Sequence, residues 1–345
     1  MKKTYEIEDF NIKIGKLPKG KLNKISDVQG IKVGHYTIDT NDNKTGVTVV
    51  IPKESNMFTE KFIAASHIIN GFGKTTGLVQ LNELGTLETP IALTNTLNIG
   101  LVHDAVVEYM INECEKENIE LKSVNPIICE CNDSGLNNIR NRTVKKEHVF
   151  EAIKNSKKDF EEGDIGGGKG MTCHDLKGGI GSSSRILKLD KKDYTVGALV
   201  QSNHGLINDL MINGNNIGKE IEKKINRSDK LDKGSIIIIL ATDIPLSNRQ
   251  LKRICKRAVI GLARLGSYIG HGSGEVVIGF STANIIKEKE KLEIIDLKII
   301  NENKIENIFR ATAEVVEEAV LKSMLNSEKV EGYKGKVKES LRKFL

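Results

Sequence analysis

The sequence predicts an α+β layered sandwich, and three observations carry that expectation. Runs rich in Val, Ile and Thr, bounded by Gly, Asp and Pro, recur along the chain as strand signals. Segments with apolar residues at helical spacing fall among them in mixed order, without the regular alternation of a doubly wound parallel sheet. The core must be aliphatic, because the 345 residues include no Trp and only 4% aromatics.

Taken in order, Ile31 to His35 and Gly46 to Pro52 read as strands, followed by a glycine-rich loop at Asn70-Gly71-Phe72-Gly73. Pro90 to Asn95 reads as a strand and Val102 to Glu117 as a helix, with Ala105, Tyr109 and Ile111 at roughly helical spacing. Asn125 to Cys131 is a strand entered through Pro126, and Lys145 to Lys158 a short helix. Glycine is densest from Gly163 to Arg185, then Tyr194 to Gln201 is a strand. Gly205 to Lys233 is polar and loop-like, with the composition of a processing linker. Beyond it come a strand from Ser235, a basic amphipathic helix from Ser247 to Leu265, a strand from Val276 to Phe280 and a helix from Ile305 to Leu325. The charge-rich end, EKVEGYKGKVKESLRKF, reads as a solvated helix or tail.

Length permits one large domain or two smaller ones. A hydrophobic content of 39% and a charged content of 28% are ordinary for a soluble globular chain. The net charge of +6 comes from 52 basic and 46 acidic residues spread along the sequence, with no basic stripe and no interleaved aromatics, so nucleic acid is not an expected partner. Five cysteines with no CxxC pair argue against a zinc framework or disulfides, and reduced thiols point to a cytoplasmic protein. The lysines of MKKTYEIEDFNIKIG precede no apolar region, so no signal peptide is expected, and no apolar run reaches membrane-spanning length.

The glycine region nearly spells a phosphate loop, with Gly163, Gly168 and Lys169 at the required spacing, but Gly170 replaces the hydroxyl that would hold magnesium. Gly73-Lys74-Thr75 ends such a loop, yet Ile68 stands where its first glycine should be. Met171, Cys173, Leu176 and Ile180 interrupt the glycines, which fits an ordered network in which backbone lines a tight site. At Gly234-Ser235 a polar stretch runs straight into Ile236-Ile237-Ile238-Ile239-Leu240. A cut before Ser235 would put a hydroxyl and a free amine on the first residue of a core strand, which is nucleophile and base in one residue.

Four long stretches in order, GDIGGGKGMTCHDLKGGIGSSSR, YTVGALVQSNHG, GSIIIILATDIPLSNRQLKR and GHGSGEVVIGFSTAN, resemble the DmpA/BapA family of self-processing serine aminopeptidases. ISDVQGIKVGHYT and TNTLNIGLVHDAV fit the same family, so the resemblance runs from about Ile25 to the last helix. It implies a single catalytic domain, 1–345, with a four-layer αββα sandwich like that of ornithine acetyltransferase and chemistry like that of N-terminal-nucleophile hydrolases. It implies self-cleavage between Gly234 and Ser235 into an α chain, 1–234, and a β chain, 235–345, that stay together as a homo-oligomer of αβ units. Ser235 would be the nucleophile, Ser273 and Glu275 a relay group and its carboxylate, Asn203 an oxyanion donor, and Glu130 the partner of the substrate's ammonium. The substrates implied are short peptides or amino-acid amides and esters, without metal or organic cofactor. A backbone amine titrates at about 7.7–8.0, so it is partly deprotonated near neutral pH. Ser273 and Glu275, two apart, would share one face of a strand.

Two departures bear on the pocket. Asn132 stands where the family often carries an aromatic residue, so the substrate-binding wall differs there, and Lys74 stands where an acidic residue is expected. A lysine in the pocket would weaken amine recognition and admit an anionic substrate. Alternatives are a hydrolase of non-peptide amides like the nylon-oligomer hydrolases, an acyltransferase like ornithine acetyltransferase, and an unprocessed binding protein. The first two normally carry threonine where this chain has Ser235.

Overall fold

A computed structural model describes residues 4–225 and 234–345, so the end of the expected linker, 226–233, lies outside the described residues. Among the described residues, nine main strands form two sheets. The first sheet contains β1 (Lys32–Asp39), β2 (Lys44–Ile51), β4 (Ile91–Asn95) and β5 (Ile127–Cys131), in the order β1-β2-β4-β5. The second contains β3 (Glu60–Gly71), β6 (Gly179–Leu189), β7 (Lys192–Asn203), β8 (Ser235–Thr242) and β9 (Gly274–Lys287). Its order is β3-β9-β8-β7-β6, with the short strand Thr86–Leu87 at the β3 edge. Neighbours are antiparallel except β4 with β5 and β8 with β9, which are parallel.

Apolar side chains sort into three clusters that define the layers. Ile91, Leu93, Ile127 and Cys129 meet Leu199, Ile237, Ile239 and Ile278 between the two sheets. The outer face of the first sheet, through Val47, Val49 and Ala92, packs on α2 (Ile99–Lys116) and α3 (Lys146–Lys154). The outer face of the second, through Ala198, Ile236, Ile238 and Val277, packs on α5 (Asn248–Cys255), α6 (Ala258–Arg264) and α7 (Glu306–Leu325). Helix, sheet, sheet, helix is the expected αββα sandwich. The short helices α1 (Leu78–Leu84) and α4 (Gly218–Ile225) complete the set.

The isoleucine run explains itself here. Ile236, Ile238 and Leu240 enter the helix-covered face, and Ile237, Ile239 and Ala241 the inter-sheet core. A strand buried on both faces has no polar side, so its sequence reads as a continuous apolar run.

The glycine-dense segment is ordered and mostly buried, as the interspersed apolar residues indicated. Helix α7 lies directly on β6 because Gly181 lacks a side chain: a Cβ there would meet the Ala319 carbonyl oxygen at 1.9 Å. Lys169, the near-miss phosphate lysine, is committed to Asp164 at 3.0 Å and Asp39 at 2.8 Å.

Some expectations shift. The helix foreseen over Ser247 to Leu265 breaks in two, because Arg257 N–H bonds back three residues to Ile254 O. That turn keeps Leu251 and Ile254 of one half and Ala258 and Leu262 of the other on one core. The C-terminal end is not a solvated tail. Val330–Glu331 pairs with Val337–Lys338, Leu341 is buried in the helix-side core, and the Arg342 guanidinium lies over the Tyr5 ring. Strand β3 was not foreseen, since its Ala64-Ala65-Ser66 centre carries little β-branched signal.

Arg185 is fully buried between β6 and α7, with Nε 3.1 Å from Glu314 and Nη2 2.6 Å from Glu318. Nη2 also donates to the Ile14 carbonyl at 3.0 Å, tying the N-terminal segment to the sandwich. Arg185→Ala leaves Glu314 with two backbone N–H donors and Glu318 with Lys19 and Asn23, removes the buried cation between them, and should cost about 3–5 kcal/mol, read as a lowered denaturation midpoint. Arg185→Met with Glu314→Gln and Glu318→Gln should recover part of that loss.

Candidate active site

The register of the second sheet builds the site. Ser235 opens β8, with Asn203 opposite it at the end of β7 and Gly274 opposite it at the start of β9. Ser235 stands two residues before Ile237 and so shares its inter-sheet face, at the open end of the two sheets. There a pocket of about 620 Å³ lies against Gly234, Ser235, Asn203, Glu130 and Asn132, so five of the sequence-derived positions converge on one cavity.

Asn203 is nine-tenths buried and its amide is fixed: Oδ1 accepts from Thr172 N–H at 2.9 Å and Nδ2 donates to Asn132 O at 3.0 Å. The amide group has a second N–H, and the side chain lines the pocket. Asn132 itself has an exposed side chain whose Oδ1 accepts from Ser134 N–H at 3.0 Å, so it offers the pocket its backbone carbonyl and a short polar wall. Glu130 is held from two sides, by Lys74 N–H on Oε1 at 3.1 Å and by the Thr96 hydroxyl on Oε2.

Gly234 is required sterically. A Cβ there would lie 2.1 Å from the Asn203 carbonyl oxygen and 2.6 Å from the His204 Cα. Its carbonyl oxygen accepts the Gly274 N–H at 3.1 Å.

Ser273 and Glu275 are fully buried and do not line the pocket, although Gly272 does. They flank Gly274, the residue in register with Ser235, and so lie behind the start of β8 rather than across the cavity from it. Ser273 stands in the turn before β9 and donates its hydroxyl to Gly270 O at 2.6 Å, so the pair is split between turn and strand instead of sharing a strand face.

Lys74 reaches the pocket wall, as does Phe72, and its ammonium lies 5.4 Å from that ring's centroid. Sequence reading did not single out Thr96, Thr172 or His204, whose roles depend on strand ends meeting in space. His204 is buried, and its pKa falls to about 3 through burial first and the neighbouring His174 second, so it is neutral in the pocket wall. Cys173, His174 and His204 gather behind Asn203 with ligand atoms within 4.8 Å of one another. Among the described residues this nitrogen and sulfur set is the one suited to a transition metal, where the sequence led to no metal site.

Cys131, at the end of β5, donates its thiol to the Gln201 carbonyl at 3.5 Å, and burial pushes it up to about 12. It is therefore a neutral neighbour and not a competing nucleophile.

This architecture, with a serine heading the central strand and opening on a pocket, defines a serine-type hydrolase of the N-terminal-nucleophile kind. Comparison with known proteins gives the family. The profile of Peptidase family S58 matches residues 23–338, and the chain belongs to that family. It is 36% identical over 337 residues to the β-peptidyl aminopeptidase BapA of Sphingosinicella xenopeptidilytica, covering 91% of this chain and 83% of that one. A solved structure of a Pyrococcus horikoshii OT3 protein is similar with a TM-score of 0.93 and 47% identity, covering 98% of this chain and 96% of that one. A Burkholderia sp. β-aminopeptidase gives 0.90 and 35%, with the same coverages. The L-aminopeptidase D-Ala-esterase/amidase of Ochrobactrum anthropi gives 0.91 and 31%, covering 97% of this chain and 95% of that one. The chain is an enzyme of the aminopeptidase and amidase class.

All five cysteines are buried. A thiol reagent should therefore leave the native protein unlabelled and active at pH 8, and label it fully after denaturation. Activity loss in step with labelling of Cys131 would contradict this.

Proposed function

We propose that the chain cuts itself between Gly234 and Ser235, and that the exposed Ser235 then removes N-terminal residues from short peptides, amino-acid amides and esters. The observation that carries this reading is the position of Gly234-Ser235: the nucleophile heads a strand buried on both faces while its own end opens on the pocket. In the first reaction the Ser235 hydroxyl attacks the Gly234 carbonyl carbon. The Gly274 N–H already donates to that carbonyl oxygen and so stabilises the charge that develops there. The peptide becomes an ester, water cleaves it, and an α chain of 1–234 separates covalently from a β chain of 235–345.

The new terminal amine then serves as the base for the Ser235 hydroxyl. Attack on a substrate carbonyl gives a tetrahedral oxyanion, which the second N–H of Asn203 meets from the opposite strand end. The C–N bond breaks, the leaving amine takes the proton, and water releases the acyl group from Ser235. Ser273 and Glu275 act from behind, holding the terminal amine in place, and Glu130 binds the substrate's ammonium by a charge-assisted hydrogen bond. We further infer a cytoplasmic homo-oligomer of αβ units. Among the described residues no helix is long and apolar enough to cross a membrane, and Leu292, Ile294, Leu297 and Ile299 are exposed together on one segment that a second copy would cover.

Purified protein should run as two chains, the smaller beginning Ser-Ile-Ile, and Ser235→Ala should remain one chain. An active wild type of full length in denaturing mass spectrometry would refute self-cleavage. Glu275→Gln should keep the fold but lower kcat roughly a hundredfold or more. Full activity in that variant would remove Glu275 from the mechanism. Blocking the amine of alanine p-nitroanilide with acetyl should lower kcat/KM by about tenfold to a hundredfold, with Glu130→Gln shrinking the difference. Equal rates on the free and acetylated compounds would favour a general amidase.

A further inference from the structure

The pocket wall carries both signs of charge side by side. Lys74 N–H holds the Glu130 carboxylate at 3.1 Å, so the residue that orients the pocket's anion through its backbone carries a cation on its side chain. Lys74 is the one cationic side chain among the described residues that line the cavity. Its ammonium rests over the Phe72 ring, and no carboxylate lies within 4 Å of it among the described residues. The other charges nearby are accounted for. Asp175 accepts the Ile207 N–H at 3.1 Å and lies 3.7 Å from the Lys338 ammonium, and His204 is neutral.

An ammonium site adjacent to a carboxylate site selects a substrate end that carries both charges close together. An ordinary α-linked N-terminal residue has no free carboxylate on its ammonium-bearing carbon, because that carboxyl is the scissile carbonyl. A β-linked aspartyl residue does: its α-carboxylate and α-ammonium share one carbon, and the scissile carbonyl lies one methylene further along. We propose that this pocket selects peptides that begin with a β-linked aspartyl residue, with Glu130 on the ammonium and Lys74 on the free α-carboxylate.

The inference rests on the aminopeptidase reading above and narrows its substrate. The reaction is the same hydrolysis. Ser235 Oγ attacks the side-chain carbonyl and passes its proton through its own amine to the leaving amine as the isopeptide C–N bond breaks. Water then cleaves the ester and frees aspartate. Phe72 and Lys74 belong to one loop beside β3, so a lysine in that loop changes the ligand without altering the strand ends that hold Ser235 and Asn203.

The test compares β-aspartyl-leucine with β-alanyl-leucine, which differ only in the carboxylate, with γ-glutamyl-leucine, α-aspartyl-leucine and alanine p-nitroanilide as controls. In the processed wild type, kcat/KM should favour β-aspartyl-leucine over β-alanyl-leucine by about tenfold or more, the size of one charge-assisted contact. Lys74→Gln should reduce that ratio by about the same factor, and Lys74→Glu should bring it below one. A wild-type ratio near one, a ratio unmoved by Lys74→Gln, or faster cleavage of the α-aspartyl or γ-glutamyl dipeptide overturns the proposal. Cleavage of alanine p-nitroanilide with neither β-linked dipeptide cut overturns it and leaves the aminopeptidase reading standing. Failure on all five compounds overturns that reading and this inference with it.

Discussion

Strand β8 is hydrogen-bonded on both edges and buried on both faces, and the rest of the site hangs on where it starts. Its antiparallel register with β7 brings Asn203 level with Ser235, and its parallel register with β9 brings Gly274 level with the same residue. A one-residue slip would turn every side chain of β8 to the opposite face, and both faces are packed with isoleucines against different layers. The hydrophobic cores on either side therefore fix the position of a hydroxyl at the strand's end without that hydroxyl contributing to the packing.

A division of labour follows from depth. Groups that fit a role in recognition, Glu130 and Lys74, stand at the pocket wall and are set by loops and strand ends of the first sheet and β3. Ser273 and Glu275 are sealed behind the start of β8. Burial also keeps neighbouring chemistry quiet: the Cys131 thiol is raised to about 12 and the His204 imidazole lowered to about 3, so neither carries charge beside Ser235 near neutral pH. Fixed dipoles and hydrogen bonds surround the serine in place of mobile charges.

How much of the site was legible depended on how each residue signals. The Gly234-Ser235 junction stood out as a polar stretch running into a buried-type strand, but a Gly-Ser before a strand is usually a loop end, so Ser235 too was legible as a candidate only with the long motifs around it. Asn203 and Glu130 were legible only through long motifs in a fixed order, since an asparagine or glutamate at a strand end is ordinary on its own. Thr96 and Thr172 left no signal, because a threonine hydroxyl that donates to Glu130 or a backbone N–H that donates to Asn203 is defined by its neighbour in space. Strand β3 was missed because alanine and serine at its centre suit tight packing more than they advertise a strand.

The sequence by itself determined the layered α+β class and the aliphatic core, because periodicity and local composition are written along the chain, while the Gly234-Ser235 junction and the polar residues grouped with it were marked only by the resemblance of long motifs. Tertiary structure alone decided that Ser273 and Glu275 lie behind the start of β8 while Lys74 faces the cavity. It also brought Cys173, His174 and His204 together, and divided the basic helix so that both halves meet one core. Each of these depends on the register and crossing of elements distant in sequence, which side-chain type does not encode.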